Sequence, residues 1–274
     1  MTKQSFVNVQ FERFFSMDSA KAIKAQEYGY LNAINYMAPH KSAGVGNLCS
    51  HASPVCIELC LGLESGQASM VSAKTNWTNA VRESRGRKAR YFMHQRKAFM
   101  GEMLLHIARA VRSSKAKDMK VCVRPNGASD IAYEGIRVEI SEAFAAYLSE
   151  VSGLEVYPGL HTIFSAFPSV QFVDYTKNHT RFNRKLPANY HLTFSRSEIN
   201  EAIALELLAK GVNVAVIFAS GLPAVWHGFE VVDGDKHDLR HLDPKGARGF
   251  VIGLSPKGHK AKKDQNGFVL RNAA

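Results

Sequence analysis

Three of the four cysteines fall within a twelve-residue segment, and they are the residues in this chain most suited to chemistry. They are Cys49, Cys56 and Cys60, with the spacing Cys-x6-Cys-x3-Cys. In a chain expected to be cytosolic, clustered cysteines indicate metal or redox chemistry rather than a disulfide scaffold. If a helix begins near Pro54, Cys56 and Cys60 lie on one helical face, and Cys49 joins them from the preceding loop.

Several kinds of site are consistent with these thiols. Three thiolates that meet at a helix start suit an iron–sulfur cluster, [4Fe-4S] for example, that leaves one metal position open for a substrate or cofactor. A zinc ion is an alternative, with His51 or a more distant histidine as fourth ligand. An unrelated set of buried cysteines is the third. Cys122 stands apart in the alternating run Lys120–Arg124 and is predicted to pack inside a strand.

Polar residues follow nearly every predicted strand, at the position where a (β/α) fold gathers its functional groups. Each alone is compatible with ordinary turn chemistry, but their repetition predicts an active site. The candidate catalytic residues are Asp130, Asp174, Lys177, His237 and Asp238. The candidate cofactor-binding residues are Asn126, Ser129, Ser195 and Arg196. The same strand ends also carry Arg124, Tyr175, Thr176, Ser197, Asp233 and Asp235.

The run from Asp233 to Pro244 is dense in carboxylates and imidazoles. It predicts either a divalent-cation site or a His–Asp acid–base pair, with a turn of solvated charges as the alternative. Its spacing does not match a calcium-binding loop. Glu198 is expected to belong to the capping of the helix that follows Ser195.

Several common enzyme signatures are absent. No Gly-x-Gly-x-x-Gly follows a strand, and no phosphate-binding loop of the Gly-x4-Gly-Lys-Ser/Thr type occurs. Ser195 lacks the surround of a nucleophile elbow. These absences count against Rossmann dehydrogenases, phosphoryl transfer and serine hydrolases.

The elements that must position these residues alternate between strand and helix. Apolar periodicity and stop signals predict helices at 18–27, 77–112 (as one helix or two), 136–151 and 197–211. Strands are predicted at 31–37, 119–124, 170–175, 190–194, 212–218, 231–232 and 250–254. This alternation predicts a single α/β domain over 1–274, built as a partial or irregular TIM-like (β/α) barrel, with an open doubly wound sheet as the alternative. Residues 1–30 would form an N-terminal extension, and residues 255–274 a basic tail.

Composition restricts the setting and the partners. Apolar residues make up 46% of the chain, which is enough for a large core. No apolar run is long enough to span a membrane, and the N-terminus lacks a signal-peptide core, so we expect a cytoplasmic protein that does not bind membranes. The net charge of +11 makes nucleic acid a plausible partner, although a solvated basic face is the simpler interpretation.

Two resemblances extend this interpretation. The segments Cys49–Cys60, Asn126–Ile131, Phe172–Lys177, Asn189–Glu198 and Asp233–Gly246 resemble a bacteriophage and prophage family of "gene product" proteins. That resemblance implies a phage protein in a host cytoplasm, and it carries no activity with it.

The second resemblance is structural. A cysteine loop after the first strand, followed by repeated β/α units, resembles the radical S-adenosylmethionine barrel. This implies cluster ligation by Cys49, Cys56 and Cys60, with S-adenosylmethionine contacted by residues such as Asn126, Ser129, Asp130 and Ser195. The spacing differs from the Cys-x3-Cys-x2-Cys of that superfamily.

Together these features predict a metal-dependent enzyme, acting on a small molecule, a nucleotide or a nucleic acid. The alternative is a non-catalytic phage accessory protein that binds nucleic acid or a host protein and in which the metal only holds the loop.

Overall fold

The computed structural model describes residues 6–271, and in them helices alternate with strands as predicted. The outermost parts of the predicted N-terminal extension and C-terminal tail, residues 1–5 and 272–274, lie outside the described residues. The helices are α1 (Ala20–Gln26), α2 (Pro54–Glu58), α3 (Leu61–Glu64), α4 (Ala80–His94), α5 (Arg96–Lys115), α6 (Glu142–Ser152), α7 (Ile163–Ala166), α8 (Glu201–Ala209) and α9 (His259–Lys262). The strands are β1 (Tyr30–Ile34), β2 (Lys120–Arg124), β3 (Val138–Ile140), β4 (Gly159–His161), β5 (Gln171–Thr176), β6 (Tyr190–Ser195), β7 (Val214–Phe218), β8 (Val225–Trp226), β9 (Phe229–Asp233), β10 (Val251–Leu254) and β11 (Val269–Leu270).

One large, mostly parallel sheet organises the molecule. Its strand order is β1-β2-β5-β6-β7-β10-β9-β8, and β11 pairs with β7. Every pairing in it is parallel except that of the β8–β9 hairpin. From β1 to β7 each new strand of the path comes later in the chain, so the carboxyl ends of these strands meet at one edge.

The sheet is open, which corrects the predicted barrel. Its path ends at β1 on one side and in the antiparallel β8–β9 hairpin on the other, and no described strand joins these two edges. The face that would line a barrel is covered by chain instead: Ala25 of α1 and Leu239 pack there against Cys122 and Val173. These residues bury that face of the sheet although the sheet does not close into a barrel. The structure is therefore consistent with the open-sheet alternative.

The opposite face carries the main hydrophobic core. Val121 and Val123 point into it, whereas Cys122 between them is fully buried on the other face, as the alternation of a strand requires. Helix α5 fills much of this core, and its predicted apolar positions Phe99, Met103, Ile107 and Val111 are all buried. The near-continuous apolar character of β7 follows from burial on both faces of a parallel sheet.

Two predicted helices differ in their bounds. The 77–112 pattern is two helices, because Gln95 leaves the helical region with φ −134° and ψ 48°. The helix predicted at 136–151 begins only after Ser141, whose hydroxyl accepts from the Phe144 N–H. Residues before that cap form β3, which pairs with β4 in a separate antiparallel ribbon.

The predicted basic tail is built into the sheet. Strand β11 pairs with Ile217 and Phe218 of β7. Strand β6 pairs only with the first two residues of β7, Val214 and Ala215. Strand β10 pairs with β7 along the opposite edge of that strand. The C-terminal segment therefore lies beside the carboxyl end of β7, next to the point where β6 stops. Within residues 6–271, no helix has the length and apolar character needed to cross a bilayer.

Candidate active site at the carboxyl edge of the sheet

The cysteine loop leaves the end of β1 and is pinned to the turn that follows β2. The N–H of Asp130 donates to the carbonyl of Leu48 at 2.8 Å, and the N–H of Leu48 donates to the carbonyl of His40 at 3.0 Å. Gly127 is required in that turn, because a Cβ there would lie 2.7 Å from the carbonyl oxygen of Asn35. Two strand ends and the cysteine loop thus form one packed unit.

Helix α2 begins at Pro54, as the sequence predicts, and presents Cys56 in its first turn. Ser53 caps it by accepting from the Cys56 N–H at 3.1 Å. Glu198 supports the same helix start, accepting from the Ser53 hydroxyl at 2.8 Å and from the Val55 N–H at 3.3 Å. Glu198 therefore caps helix α2, which carries Cys56, and not helix α8 as the sequence predicts.

The predicted arrangement of Cys56 and Cys60 on one helix is wrong. Helix α2 ends at Glu58, and Cys60 precedes the separate helix α3. Both thiols nevertheless reach the same place, because Cys49, Cys56 and Cys60 all line one cavity of about 120 Å³. The convergence comes from the path of the loop rather than from helical periodicity.

Residues from three further strand ends complete this cavity. Its predicted site residues, besides the cysteines, are Ser129, Asp130, Lys177 and Ser195, with Tyr175 and Thr176 from the end of β5. Sequence reasoning did not single out the remaining lining residues, Pro39, His40, Ala52, Ile57 and Ala128. The position of His40 between the first strand and the first cysteine is the signal that would have found it.

Burial raises the pKa of two of the three thiols, those of Cys49 and Cys60. It raises the pKa of Cys49 to about 12, although the His40 N–H donates to the sulfur at 3.3 Å and lowers it in part. Burial likewise raises the pKa of Cys60 to about 11, against the opposing effects of the Gly62 N–H, which donates to the sulfur, and of Lys177 and Arg85. The Cys49 thiol is also 3.6 Å from the carbonyl oxygen of Ala128, to which it donates.

The donor set suits a thiolate-bound group, but the sulfurs are not preassembled around one point. Within residues 6–271, no three His, Cys, Asp or Glu side chains are grouped so that they could hold a single metal ion. Three thiols nonetheless border one cavity, and two cations lie close enough to Cys60 to favour its ionised form. The three thiols therefore border one cavity without forming a compact metal-binding group among the described residues.

Lys177 is the cation of the cavity. Its ammonium donates to the Ser195 hydroxyl at 2.9 Å, and its main-chain N–H donates to Asp130 Oδ2 at 2.9 Å. The ammonium also lies 5.3 Å from the centroid of the Phe268 ring. Among the described residues no carboxylate forms an ion pair with it, so its charge is available to a ligand.

Asp130 lines the cavity but is also engaged in its wall. Its Oδ1 accepts from Arg181 at 3.0 Å, and Arg181 in turn binds Glu134 at 2.7 Å. The hydroxyl of Thr176 donates to Asp130 Oδ2 at 3.1 Å. These bonds fix the carboxylate beside the cavity, and they leave its predicted catalytic role a prediction.

Asp174 and Asn126 lie behind the wall rather than in the cavity. Asp174 is fully buried, and it accepts from the N–H and the side-chain amide of Asn126, both at 2.8 Å, and from the Tyr190 hydroxyl at 3.0 Å. Burial raises the pKa of Asp174 to about 6, despite the opposing effect of Arg124. The amide oxygen of Asn126 accepts from Ser129 at 2.8 Å, so this pair positions a residue that does face the cavity.

Three other candidates are not brought to the cavity. Asp238 accepts from Arg124 at 2.8 Å, and the His237 ring packs against Tyr28 at 4.7 Å between centroids. Arg196 binds Glu201 at 2.6 Å and donates to the carbonyl of Gly267, which holds the C-terminal segment to the sheet. The segment after Asp233 therefore covers the sheet and lines no part of this site.

Comparison with known proteins adds one finding. A family model described as Gene product 88 matches residues 13–272. No curated protein and no solved structure gives a significant match. The resemblance to the radical S-adenosylmethionine barrel gains no support from these comparisons.

Proposed function

We propose that this chain, which belongs to the Gene product 88 family, is an enzyme that holds an iron–sulfur cluster on Cys49, Cys56 and Cys60. Family membership confirms the predicted relation to phage gene products and names no reaction. What supports the enzyme is the convergence of three thiols of one loop on a cavity that Lys177 and Ser195 share. For a phage gene product we place this activity in the host cytoplasm.

Ligand geometry favours a cluster over zinc. Sulfur ligands 2.3 Å from one tetrahedral zinc ion lie only about 4 Å from each other, so a zinc site gathers its donors tightly. The described side chains contain no such group. Thiolates of a cluster bind different iron atoms and are spaced more widely. Three thiols that border one cavity without forming a compact group therefore support a cluster as our proposal.

The raised thiol pKa values also fit a site that forms on loading. Metal binding requires thiolates and releases their protons, so the protonated thiols of Cys49 and Cys60 react slowly until a metal displaces those protons. Lys177 and Arg85 stabilise the thiolate of Cys60 once it forms. The chain thus supplies positive charge where a cluster with thiolate ligands places negative charge.

The rest of the cavity is arranged to bind and orient a ligand. A cluster held by three cysteines supplies an open iron position and a route for one-electron transfer. Lys177 and Ser195 present an ammonium and a hydroxyl to the anionic or polar part of that ligand. Ser129 adds a hydroxyl from the neighbouring turn, and Ile57 and Ala128 provide apolar surface that limits water.

S-adenosylmethionine is the narrower hypothesis for this ligand. The first strand leads directly into the cysteine loop, and parallel strands follow in chain order with their polar ends at the cavity. Its carboxylate would suit the Lys177 ammonium. This cofactor is tested separately from the cluster, by its consumption in the presence of a reductant.

Anaerobic reconstitution with iron and sulfide tests the function. We expect a brown protein that absorbs broadly near about 400 nm, as thiolate-bound clusters do. Cys56→Ala should lose this colour, because it removes one ligand. Cys122→Ala is the matched control and should keep it, since Cys122 is fully buried on the opposite face from the main core, away from the cavity.

Other outcomes are equally decisive. A colourless protein with one zinc per chain would support the zinc alternative. A protein that binds no metal would contradict the proposed enzyme and support the alternative, a non-catalytic accessory protein. Colour retained in Cys56→Ala would show that the iron is held elsewhere.

A further inference from the structure

A short segment near the C-terminus concentrates positive charge. Residues 257–263, called here the basic segment, contain Lys257, His259, Lys260, Lys262 and Lys263, and all five side chains are exposed. Lys257 pairs with Asp235 at 3.1 Å, and Lys260 pairs with Glu64 at 3.4 Å. Among the described residues no carboxylate pairs with Lys262 or Lys263, so these two ammonium groups face solvent unneutralised.

The basic segment is docked on the elements that carry the cysteines. Ala261 packs with Leu59, the residue before Cys60, in a small hydrophobic cluster. Gly258 approaches the chain after Cys60 so closely that a Cβ on it would lie 2.3 Å from the carbonyl oxygen of Glu64. The cations of this segment are therefore held beside the cysteine site and do not belong to a separate tail.

An exposed aromatic residue, Trp77, is linked to the basic segment through Glu64 and Arg82. Glu64 Oε1 is 3.4 Å from the Lys260 ammonium and 3.8 Å from Arg82 Nη2, so it joins the basic segment to the start of α4. Arg82 also donates to the carbonyls of Leu63 at 2.8 Å and of Trp77 at 3.3 Å. Trp77 is 65% exposed, although an indole of this size is normally buried when it has only a structural role.

From this juxtaposition we infer that the basic segment and Trp77 form a binding surface for single-stranded nucleic acid beside the cysteine cavity. Phosphates pair with Lys262 and Lys263, and a base stacks on the exposed indole. Cations combined with an accessible aromatic face are the recognition chemistry of single strands, whereas an acidic protein would need only the cations. The inference names a substrate class for the proposed enzyme and rests on that function for its catalytic meaning, but binding itself does not require the cluster.

Fluorescence anisotropy of a labelled single-stranded oligonucleotide, titrated with the full chain over a series of salt concentrations, tests this surface. Charge reversal in the double variant Lys262→Glu and Lys263→Glu should weaken binding at least about tenfold. It should also reduce the salt slope by about 1.4, at roughly 0.7 for each lost phosphate contact on a single strand. Trp77→Ala should weaken binding about tenfold, as expected for one lost stacking contact.

The matched control reverses two exposed lysines at the other edge of the sheet, Lys117→Glu with Lys120→Glu. Lys120 is the first residue of β2, and the cavity lies beyond the opposite end of that strand. This variant therefore makes the same charge change at a distance from the proposed binding surface. We expect less than about a twofold loss. An equal loss of affinity in both charge variants would show that overall charge alone explains the binding. Unchanged affinity in Trp77→Ala would show that no base stacks on this indole. Either result overturns the inference.

Cluster content is measured on the same samples, with far-ultraviolet circular dichroism to verify folding. Cys56→Ala should lose colour and still bind the oligonucleotide. Wild-type protein that keeps its colour but does not bind the oligonucleotide overturns the binding surface alone. Wild-type protein that binds the oligonucleotide but takes up no iron overturns the proposed function alone.

Discussion

Single residues determine the state of the site before any metal arrives. Burial raises the pKa of Cys49 to about 12 and that of Cys60 to about 11, so both carry their protons at physiological pH. Only the thiolate reacts quickly with electrophiles or binds metal. A metal or cluster bound by these thiols must therefore displace their protons.

This protonation gives a pH-dependent prediction for metal-free protein. At pH 8, iodoacetamide should alkylate Cys49 and Cys60 at least roughly a hundredfold more slowly than in urea-unfolded protein, because their thiolate fraction is lower by about that factor. The rate should rise with pH up to the raised pKa values. Peptide mass spectrometry over time measures each residue, and labelling as fast in folded as in unfolded protein at pH 8 would contradict the assignment.

Residue identity also explains which site residues were predictable. Lys177, Ser195, Ser129 and Asp130 lie at or soon after the ends of strands whose carboxyl ends share one edge, and all four line the cavity. His237 obeys the same rule and yet misses the cavity, because the chain after β9 folds back over the sheet. That return path depends on packing around Leu239, far along the chain from its partners, and local sequence does not encode it.

At the scale of elements, short segments do the positioning. Helix α2 has five residues and is held by Ser53 and Glu198, 145 residues apart, so neither propensity nor periodicity reveals its support. Strand β11 has two residues and would be overlooked in any pattern. Longer elements such as β7 and α5 were predicted because burial imposes a clear apolar pattern on them.

Gly258 allows a test of how the basic segment is held. Gly258→Ala adds a Cβ to a residue with φ +84° and places it 2.3 Å from the Glu64 carbonyl oxygen, so the segment must shift. We expect a loss of about 2 kcal/mol in the free energy of unfolding, from backbone strain together with the contact.

Gly221→Ala is the matched control for Gly258→Ala. Gly221 has φ +95° with nothing within 4 Å of an added Cβ, so its variant carries backbone strain alone. Urea denaturation compares the two free energies of unfolding. Equal losses in the two variants would show that the basic segment is not tightly docked on α3.

At the scale of the whole molecule, the open sheet brings distant parts of the chain to one edge. The cysteine loop after β1, the strand ends after β2, β5 and β6, and the C-terminal segment beside β7 all meet there. The α/β class and the gathering of strand ends at one edge are predictable from the alternation of elements. Whether the sheet closes into a barrel is not predictable in this way. It depends on the antiparallel β8–β9 hairpin at one edge and on Ala25 and Leu239, which bury the sheet face that carries Cys122.

The proposed cluster requires iron to lie in the cavity that Cys49, Cys56 and Cys60 line. Anomalous diffraction at the iron edge, from crystals of the anaerobically reconstituted protein, locates iron without assuming its ligands. We predict one compact peak in the cavity between Cys49, Cys56 and Cys60, bordered by Lys177 and Ser195. No iron peak in that cavity, or a principal peak bound by other residues, would contradict it.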